Sequence, residues 1–231
     1  MNPYMQHFCG YAYFEHHFPC DPSDFVHFRK RLGNQGVEKV FAHSVDLHDK
    51  DGRGKQGLSD TTVQENNTTF PTNAKLAKRM INPCNGIAEE HGIRQRRNYK
   101  RVSKQLLQAT FNGKCPKRRK KAVAAQKKLR ILAGRLIREL GRQLPQHIFQ
   151  LYAPQLELYQ KVINQKRADK NKTYSLNKPF TQCTAKGKPR KPYEFGNKVG
   201  LLLHPTSLVI LGVRGFGGNP YGGNTIDPLL Q

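Results

Sequence analysis

The sequence predicts an α+β protein on three observations: a β-branched segment near residue 60, a long stretch of helical periodicity after it, and a switch to strand periodicity near residue 193. Mainly helical regions are expected at the front and middle of the chain, with strands before and after the central helices.

Residues 1–50 mix aromatics (Tyr4, Phe8, Tyr11, Tyr13, Phe14, Phe18) with turn formers, then read Asp21-Pro22-Ser23-Asp24 ahead of Phe25-Val26-His27-Phe28. Proline in a first turn beside Asp and Ser starts a helix. That helix is expected to reach Leu32 and break at Gly33-Asn34-Gln35-Gly36, after which Val37, Val40, Phe41 and Val45 recur at helical spacing. Helix, glycine turn, helix is the outline of a helix-turn-helix, which reads DNA in some proteins and merely packs in others.

The polar link 49–57 leads to Leu58-Ser59-Asp60-Thr61-Thr62-Val63-Gln64. Three consecutive β-branched residues favour a strand. Thr62 and Glu65 also have the spacing of a helix capping box, and both readings stand at this level. In the link, Asp49, Asp51, Gly54 and Asp60 touch a calcium-loop pattern, but Arg53 occupies a ligand position and the closing Glu is missing.

From Ala74 the pattern turns helical and basic. Ala125, Leu129, Leu132, Leu136 and Leu140 step by three or four residues, so one stripe packs while the remaining faces carry Lys and Arg. Pro145 closes that helix, a shorter one is expected over 148–162, and a polar stretch with Pro179, Pro189 and Pro192 follows. Residues 193–203 alternate before turning apolar, His204-Pro205-Thr206-Ser207 makes a turn, and Leu208-Val209-Ile210-Leu211-Gly212-Val213 forms the second arm of a hairpin. A Gly/Asn/Pro loop then leads to Asp227-Pro228-Leu229-Leu230, which reads as a helix start at which the chain looks cut. No fixed-period repeat is present.

Charge carries the clearest functional signal. Forty Lys and Arg against sixteen Asp and Glu give a formal +24, with a pI near 10.1 and a mean hydropathy of −0.73. Eleven of the sixteen acids fall in the first 90 residues, whereas residues 94–142 hold eighteen Lys or Arg and one acid, Glu139, a net +17. Such a block, combined with an apolar stripe, is too lopsided for a merely solvated face and points to DNA or RNA phosphates. Arg96, Arg97, Lys100, Arg101, Lys117, Arg118, Arg119, Lys120, Lys121, Lys127, Lys128 and Arg130 are the candidate DNA-binding residues.

Other chemistry has weaker support. Cys9, Cys20, Cys84, Cys115 and Cys183 are odd in number and lack a C-x-x-C pair, which fits neither a disulfide framework nor a zinc ribbon and suits free thiols in a reducing cytoplasm. His16, His17 and His27 lie near Cys9 and Cys20, but the spacing of a structural zinc site is not reproduced. Gly212, Gly215, Gly217 and Gly218 follow a strand without the Gly-Lys-Ser/Thr of a phosphate loop and read as a turn. The start has no basic segment followed by an apolar run, and no stretch approaches the roughly 18 apolar residues of a membrane span, so a cytoplasmic protein without membrane partners is expected.

Several blocks, taken in order, resemble transposases of bacterial insertion sequences with an Asp-Asp-Glu site. They are residues 2–10, Phe18-Pro19-Cys20-Asp21-Pro22-Ser23, Asp60-Thr61-Thr62-Val63-Gln64-Glu65, Thr69-Phe70-Pro71-Thr72, Tyr174-Ser175-Leu176, Lys186-Gly187-Lys188, Tyr193-Glu194-Phe195-Gly196-Asn197-Lys198-Val199 and Gly218-Asn219-Pro220-Tyr221. The resemblance implies a ribonuclease H-like mixed sheet in which three carboxylates hold two Mg²⁺ ions, with Asp60 as the first carboxylate and metal ligand. It implies a helical N-terminal domain over 1–50, an incomplete ribonuclease H-like domain over 51–231 with only part of its mixed sheet and a basic helical insertion at 74–190, and 193–203 and 208–214 as the second and third strands. Duplex DNA at transposon ends would be the partner, with a homodimer as the assembly.

Departures from that family bear on activity. The second Asp, in an Asp-x-Gly-Tyr setting, and the later Glu do not occur within the 231 residues. Tyr221-Gly222-Gly223-Asn224-Thr225 stands where the family often has Tyr-Asp-Gly-His-Thr, and Asn177-Lys178 replaces a His-Glu pair. The expectation is an inactive fragment of a transposase that binds DNA; the alternative is a non-catalytic basic nucleic-acid-binding protein.

Overall fold

Helices do fill the front and middle of this chain, and strands flank the central helical block, so the architecture is α+β. The computed structural model describes residues 2–17, 20–48, 56–66, 70–111, 113, 115–166, 168–187, 189 and 191–230. Most of the calcium-like link and parts of the Phe18, Thr69 and Lys188 blocks lie outside the described residues. Two units are separable, Met1–Leu58 with Leu202–Leu211, and Ser59–Leu201 with Gly212–Gln231.

In the first unit, α1 (Pro3–Phe8) begins at Asn2, whose Oδ1 accepts the Tyr4 N–H at 3.0 Å. The Asp21–Asp24 start forms as expected: Asp21 Oδ1 accepts the Ser23 N–H at 2.8 Å, and α2 (Asp24–His48) follows. Two helical stretches meet within it across a kink, in the helix-break-helix order expected. Gly33 alone leaves helical geometry, with φ 62 and ψ −176, so the expected four-residue turn contracts to a one-residue break. Only glycine takes that positive φ cheaply, and nothing in Asn34-Gln35-Gly36 prevents the helix from resuming at once. None of the described side chains on α2 is buried, and Phe25, Phe28, Val37 and Val40 stand exposed.

The second unit holds the core, within α3 (Asn73–Glu90), α4 (Lys100–Ala109), α5 (Pro116–Gln143) and α6 (Gln146–Asn164). Thr72 caps α3, its Oγ1 accepting the Lys75 N–H at 3.2 Å, and Pro116 occupies the first turn of α5, where its missing N–H costs nothing. Pro83 and Pro154 lie inside α3 and α6 at exposed positions. The α5 stripe, Ala125, Leu129, Leu132, Leu136 and Leu140, is buried throughout, with Leu129, Leu136 and Leu140 packed among Met80, Ile81 and Cys84 of α3 and Leu156 and Tyr159 of α6. Where the bundle closes, Gln165 donates through Nε2 to Asn73 Oδ1 at 2.9 Å, tying the residue after α6 to the first residue of α3.

Burial in this core pushes the Cys84 thiol up to about 12. Cys9 and Cys115 are exposed. With iodoacetamide at about pH 8, mass spectrometry should find Cys9 and Cys115 alkylated in the folded protein and Cys84 only after denaturation, because the thiolate is the nucleophile. Equal rates at Cys84 and Cys115 would contradict the packing of α3 against α5.

Four strands, most of whose residues fall in the second unit, make the sheet: β1 (Leu58–Glu65), β2 (Gln182–Ala185), β3 (Tyr193–Leu203) and β4 (Ile210–Phe216). The segment that could have been a capped helix is therefore a strand. The order is β1-β3-β2, with β4 also paired to β3. β2 runs antiparallel to β3 with Gln182 opposite Gly196 and Ala185 opposite Tyr193. Gly57 lies against Leu202 while Gln64 lies against Gly196, so β1 is antiparallel to β3 as well. The β3–β4 turn is closed by the His204 N–H to the Val209 carbonyl at 2.9 Å.

The described sheet is thus antiparallel, where the resemblance implied a mixed one. A parallel pair needs a crossover that returns the chain in the same direction, whereas here β3–β4 is a hairpin and the helical bundle hands β3 back against β1. The second arm of the hairpin starts at Ile210 rather than Leu208, whose φ of 57 places it in the turn. Within the glycine run, Gly212 and Gly215 belong to β4 and Gly218 turns the chain at φ 77. A short 3₁₀ turn (Gly222–Thr225) and α7 (Ile226–Leu229) then cover one face of the sheet, with Leu229 seated on Gly200.

Candidate nucleic-acid interface

Because the apolar stripe of α5 faces the bundle, its charge is turned outward. Lys117, Arg118, Arg119, Lys120, Lys121, Lys127 and Lys128 are exposed and Arg130 is half-buried. Arg96 and Arg97 are exposed in the connection before α4, and Lys100 and Arg101 are exposed in its first turn. Glu139, the lone acid of the block, accepts the Arg96 backbone N–H at 3.5 Å.

That contact also shows how far the candidates spread. Arg96 sits beside residue 139 of α5, while the Lys117–Lys121 run occupies the opposite end, about 33 Å away at 1.5 Å per residue. The twelve residues predicted from sequence form a band along the bundle and do not converge on one point.

Two grooves interrupt this band. One, of about 340 Å³, lies between α5 and the end of α6 and is lined by Lys127, Arg130, Ile131, Gly134 and Arg138 with Gln160, Ile163 and Asn164. The other, of about 310 Å³, is lined by Asn73 and Ala74 at the start of α3 and by Val123, Gln126, Lys127 and Arg130. No Asp or Glu among the described residues lines either groove. Arg130 is anchored rather than free to swing, since its Nη2 donates to the Ile163 carbonyl at 2.5 Å. Gly134 is buried beneath Arg138: a Cβ there would stand 3.2 Å from Arg138 Nη1.

Arg138, Gln160 and Asn164 were not singled out from sequence. A signal for the first existed, because Lys127, Arg130, Gly134 and Arg138 step by three, four and four along one face. Gln160 and Asn164 carry no charge signal, and only the packing of α6 on α5 brings them to the groove.

Asp60 lies on β1, the strand paired with β3, and its side chain is exposed. Its Oδ1 accepts the N–H of the next residue, Thr61, at 2.7 Å. The other sheet carboxylates are engaged by lysines: Glu65 meets Lys191 at 2.5 Å and Glu194 meets Lys186 at 3.7 Å. Among the described residues no group of three or more His, Cys, Asp or Glu is placed to hold a metal, which applies to Asp60 and equally to Cys9, His16, His17, Cys20 and His27. A lone carboxylate bonded to its own backbone does not fit a pair of Mg²⁺ ions, so no reaction step is assigned to Asp60. Among the described residues no helix is long and apolar enough to cross a membrane.

No protein-family model matches the sequence, and no solved structure matches the chain. The chain is similar to an uncharacterized protein, ORF8 in the nfe locus of Rhizobium meliloti, at 36% identity over 108 residues, which is 45% of this chain and 52% of that protein. The matched region thus spans about half the length of the curated relative.

Proposed function

We propose that this chain is the DNA-binding portion of an insertion-sequence transposase of the Asp-Asp-Glu type, and that it binds duplex DNA without cutting it. One observation carries the binding: the apolar stripe of α5 is consumed by the core, which leaves outside the core a helix surface with eleven basic residues, ten of them exposed, and one acid. Lys and Arg so placed neutralise phosphates and release counterions, a sequence-independent attraction.

Support for the transposase part comes from the ordered motifs together with the pairing of the Asp60 strand to β3, the neighbour that a ribonuclease H-like sheet requires. A second reading, a non-catalytic basic nucleic-acid-binding protein, is favoured by the state of Asp60, whose Oδ1 accepts the neighbouring Thr61 N–H and which belongs to no metal-holding group among the described residues.

Fluorescence anisotropy with a labelled duplex tests the binding. If about six phosphates are neutralised, affinity should fall roughly 10³-fold between 50 and 200 mM salt. Absence of binding, or binding indifferent to salt, overturns the proposal. Incubation with Mg²⁺ should leave the duplex intact; cleavage that disappears in Asp60→Ala would show that a functional metal site exists after all.

A further inference from the structure

We propose that the two grooves flanking Lys127 and Arg130 form one phosphate-binding channel, which seats neighbouring phosphoryl groups and is completed by Arg138 and Gln160. Its natural occupant, the backbone of a nucleic-acid strand, rests on the reading above; its chemistry does not.

The grooves share Lys127 and Arg130, so they are two compartments on either side of one pair of cations. The first compartment adds Arg138 and the side-chain amides of Gln160 and Asn164, and the second adds Asn73 and Gln126. Concave walls set this place apart from the exposed Lys117–Lys121 run, where charges project into water on flexible stems and are screened. Within a groove, low-dielectric walls focus the same charge, and no carboxylate among the described lining residues offsets it.

Pre-organisation points the same way. Arg130 is held by the Ile163 carbonyl, which satisfies one end of its guanidinium and neutralises the carbonyl-rich terminus of α6 that would otherwise repel an anion. Gly134, lacking a Cβ, gives the Arg138 guanidinium room to lie close against α5 beside the groove. The Gln160 Nε2 donates to Asn164 Oδ1 at 3.1 Å, leaving a second amide proton for a ligand oxygen. Guanidinium forks and amides suit the planar, multidentate geometry of phosphate oxygens, and two compartments sharing their central cations suit successive phosphates more than an isolated one.

Two probes and matched variants test this on the full chain: tripolyphosphate by titration calorimetry, and a labelled duplex by anisotropy. Lys127→Gln/Arg138→Gln is compared with Lys117→Gln/Lys121→Gln, which removes the same formal charge from the exposed run. The groove pair should lose affinity for tripolyphosphate by about tenfold or more, and should weaken the duplex more than the exposed pair does. Gln160→Leu, which leaves net charge unchanged, should weaken tripolyphosphate by roughly threefold. Circular dichroism melts of these surface variants establish that each is folded.

Equal losses for the two pairs on both probes overturn the channel while leaving nucleic-acid binding intact. Failure of the wild-type chain to bind tripolyphosphate also overturns it. Selective loss of tripolyphosphate in the groove pair, with no duplex binding by the wild type, upholds the phosphate site and overturns the nucleic-acid reading.

Discussion

Gly196→Ala is expected to cost about 3 kcal/mol of folding stability and to lower the melting temperature by roughly 6–12 °C. A Cβ at this position would stand 2.0 Å from the carbonyl oxygen of Gln64 and 2.7 Å from its carbonyl carbon. Those are backbone atoms of β1, so no side chain can rotate away; the strands must separate or the bulk must be absorbed by a shift along β1. The effect should be local in kind. Hydrogen exchange should show lost protection in β1 and β3, with the amides of α3 and α5 keeping theirs. Wild-type melting and wild-type exchange in Gly196→Ala would mean that β1 does not pass over β3 at this point. Gly200 also lacks room, but its nearest neighbour is the end of the Leu229 side chain at 2.6 Å, which can give way, so the same substitution there should cost less.

Leu136→Ala should destabilise the bundle by about 3 kcal/mol, within the usual range for a leucine that leaves a cavity behind. Leu136 is fully buried in the cluster where α3, α5 and α6 meet. Its loss removes transfer free energy and also leaves a void that long helices, pinned by neighbouring leucines, cannot easily close. Urea denaturation followed at 222 nm measures the change, and the exchange pattern should reverse that of Gly196→Ala, with α5 amides losing protection. Ile131→Ala, at a 43% exposed position on the same helix, provides the contrast and should shift the midpoint little. Comparable losses at 131 and 136 would contradict the assigned packing face.

Much of this fold was legible because its strongest elements announce themselves locally. The α5 stripe repeats often enough to define a face, and each of its five apolar members is buried. Residues 193–203 alternate and then turn apolar, and β3 has those limits. What escaped depended on partners distant in sequence. Gln182-Cys183-Thr184-Ala185 has no recognisable strand pattern and sits among prolines, and becomes β2 only because Gly196 and Phe195 lie opposite. Thr62 and Glu65 satisfied a helix signal and a strand signal together until β3 decided between them. The break in α2 was located correctly at Gly33, but its size was overstated, because glycine content marks where a helix can be interrupted and not for how long.

The candidate interface divides along the same line. Composition located the basic block, since charge is additive and needs no geometry. The grooves needed geometry: Gln160 and Asn164 are unremarkable in sequence and acquire a role from the packing of α6 on α5.

The bond between Gln165 and Asn73 has a consequence for how the chain assembles. β1 precedes the entire helical bundle and β3 follows it, so pairing them in an unfolded chain means closing a very long loop, as the 115-residue separation of bonded Asn66 and Thr181 illustrates. Once α3 to α6 have packed, the staple at 2.9 Å brings the two exits of the bundle together, leaving seven residues between β1 and Asn73 and 27 between Gln165 and β3. Local helical contacts form quickly and non-local strand pairs slowly, so the sheet is expected to be completed late in folding, on a bundle already packed.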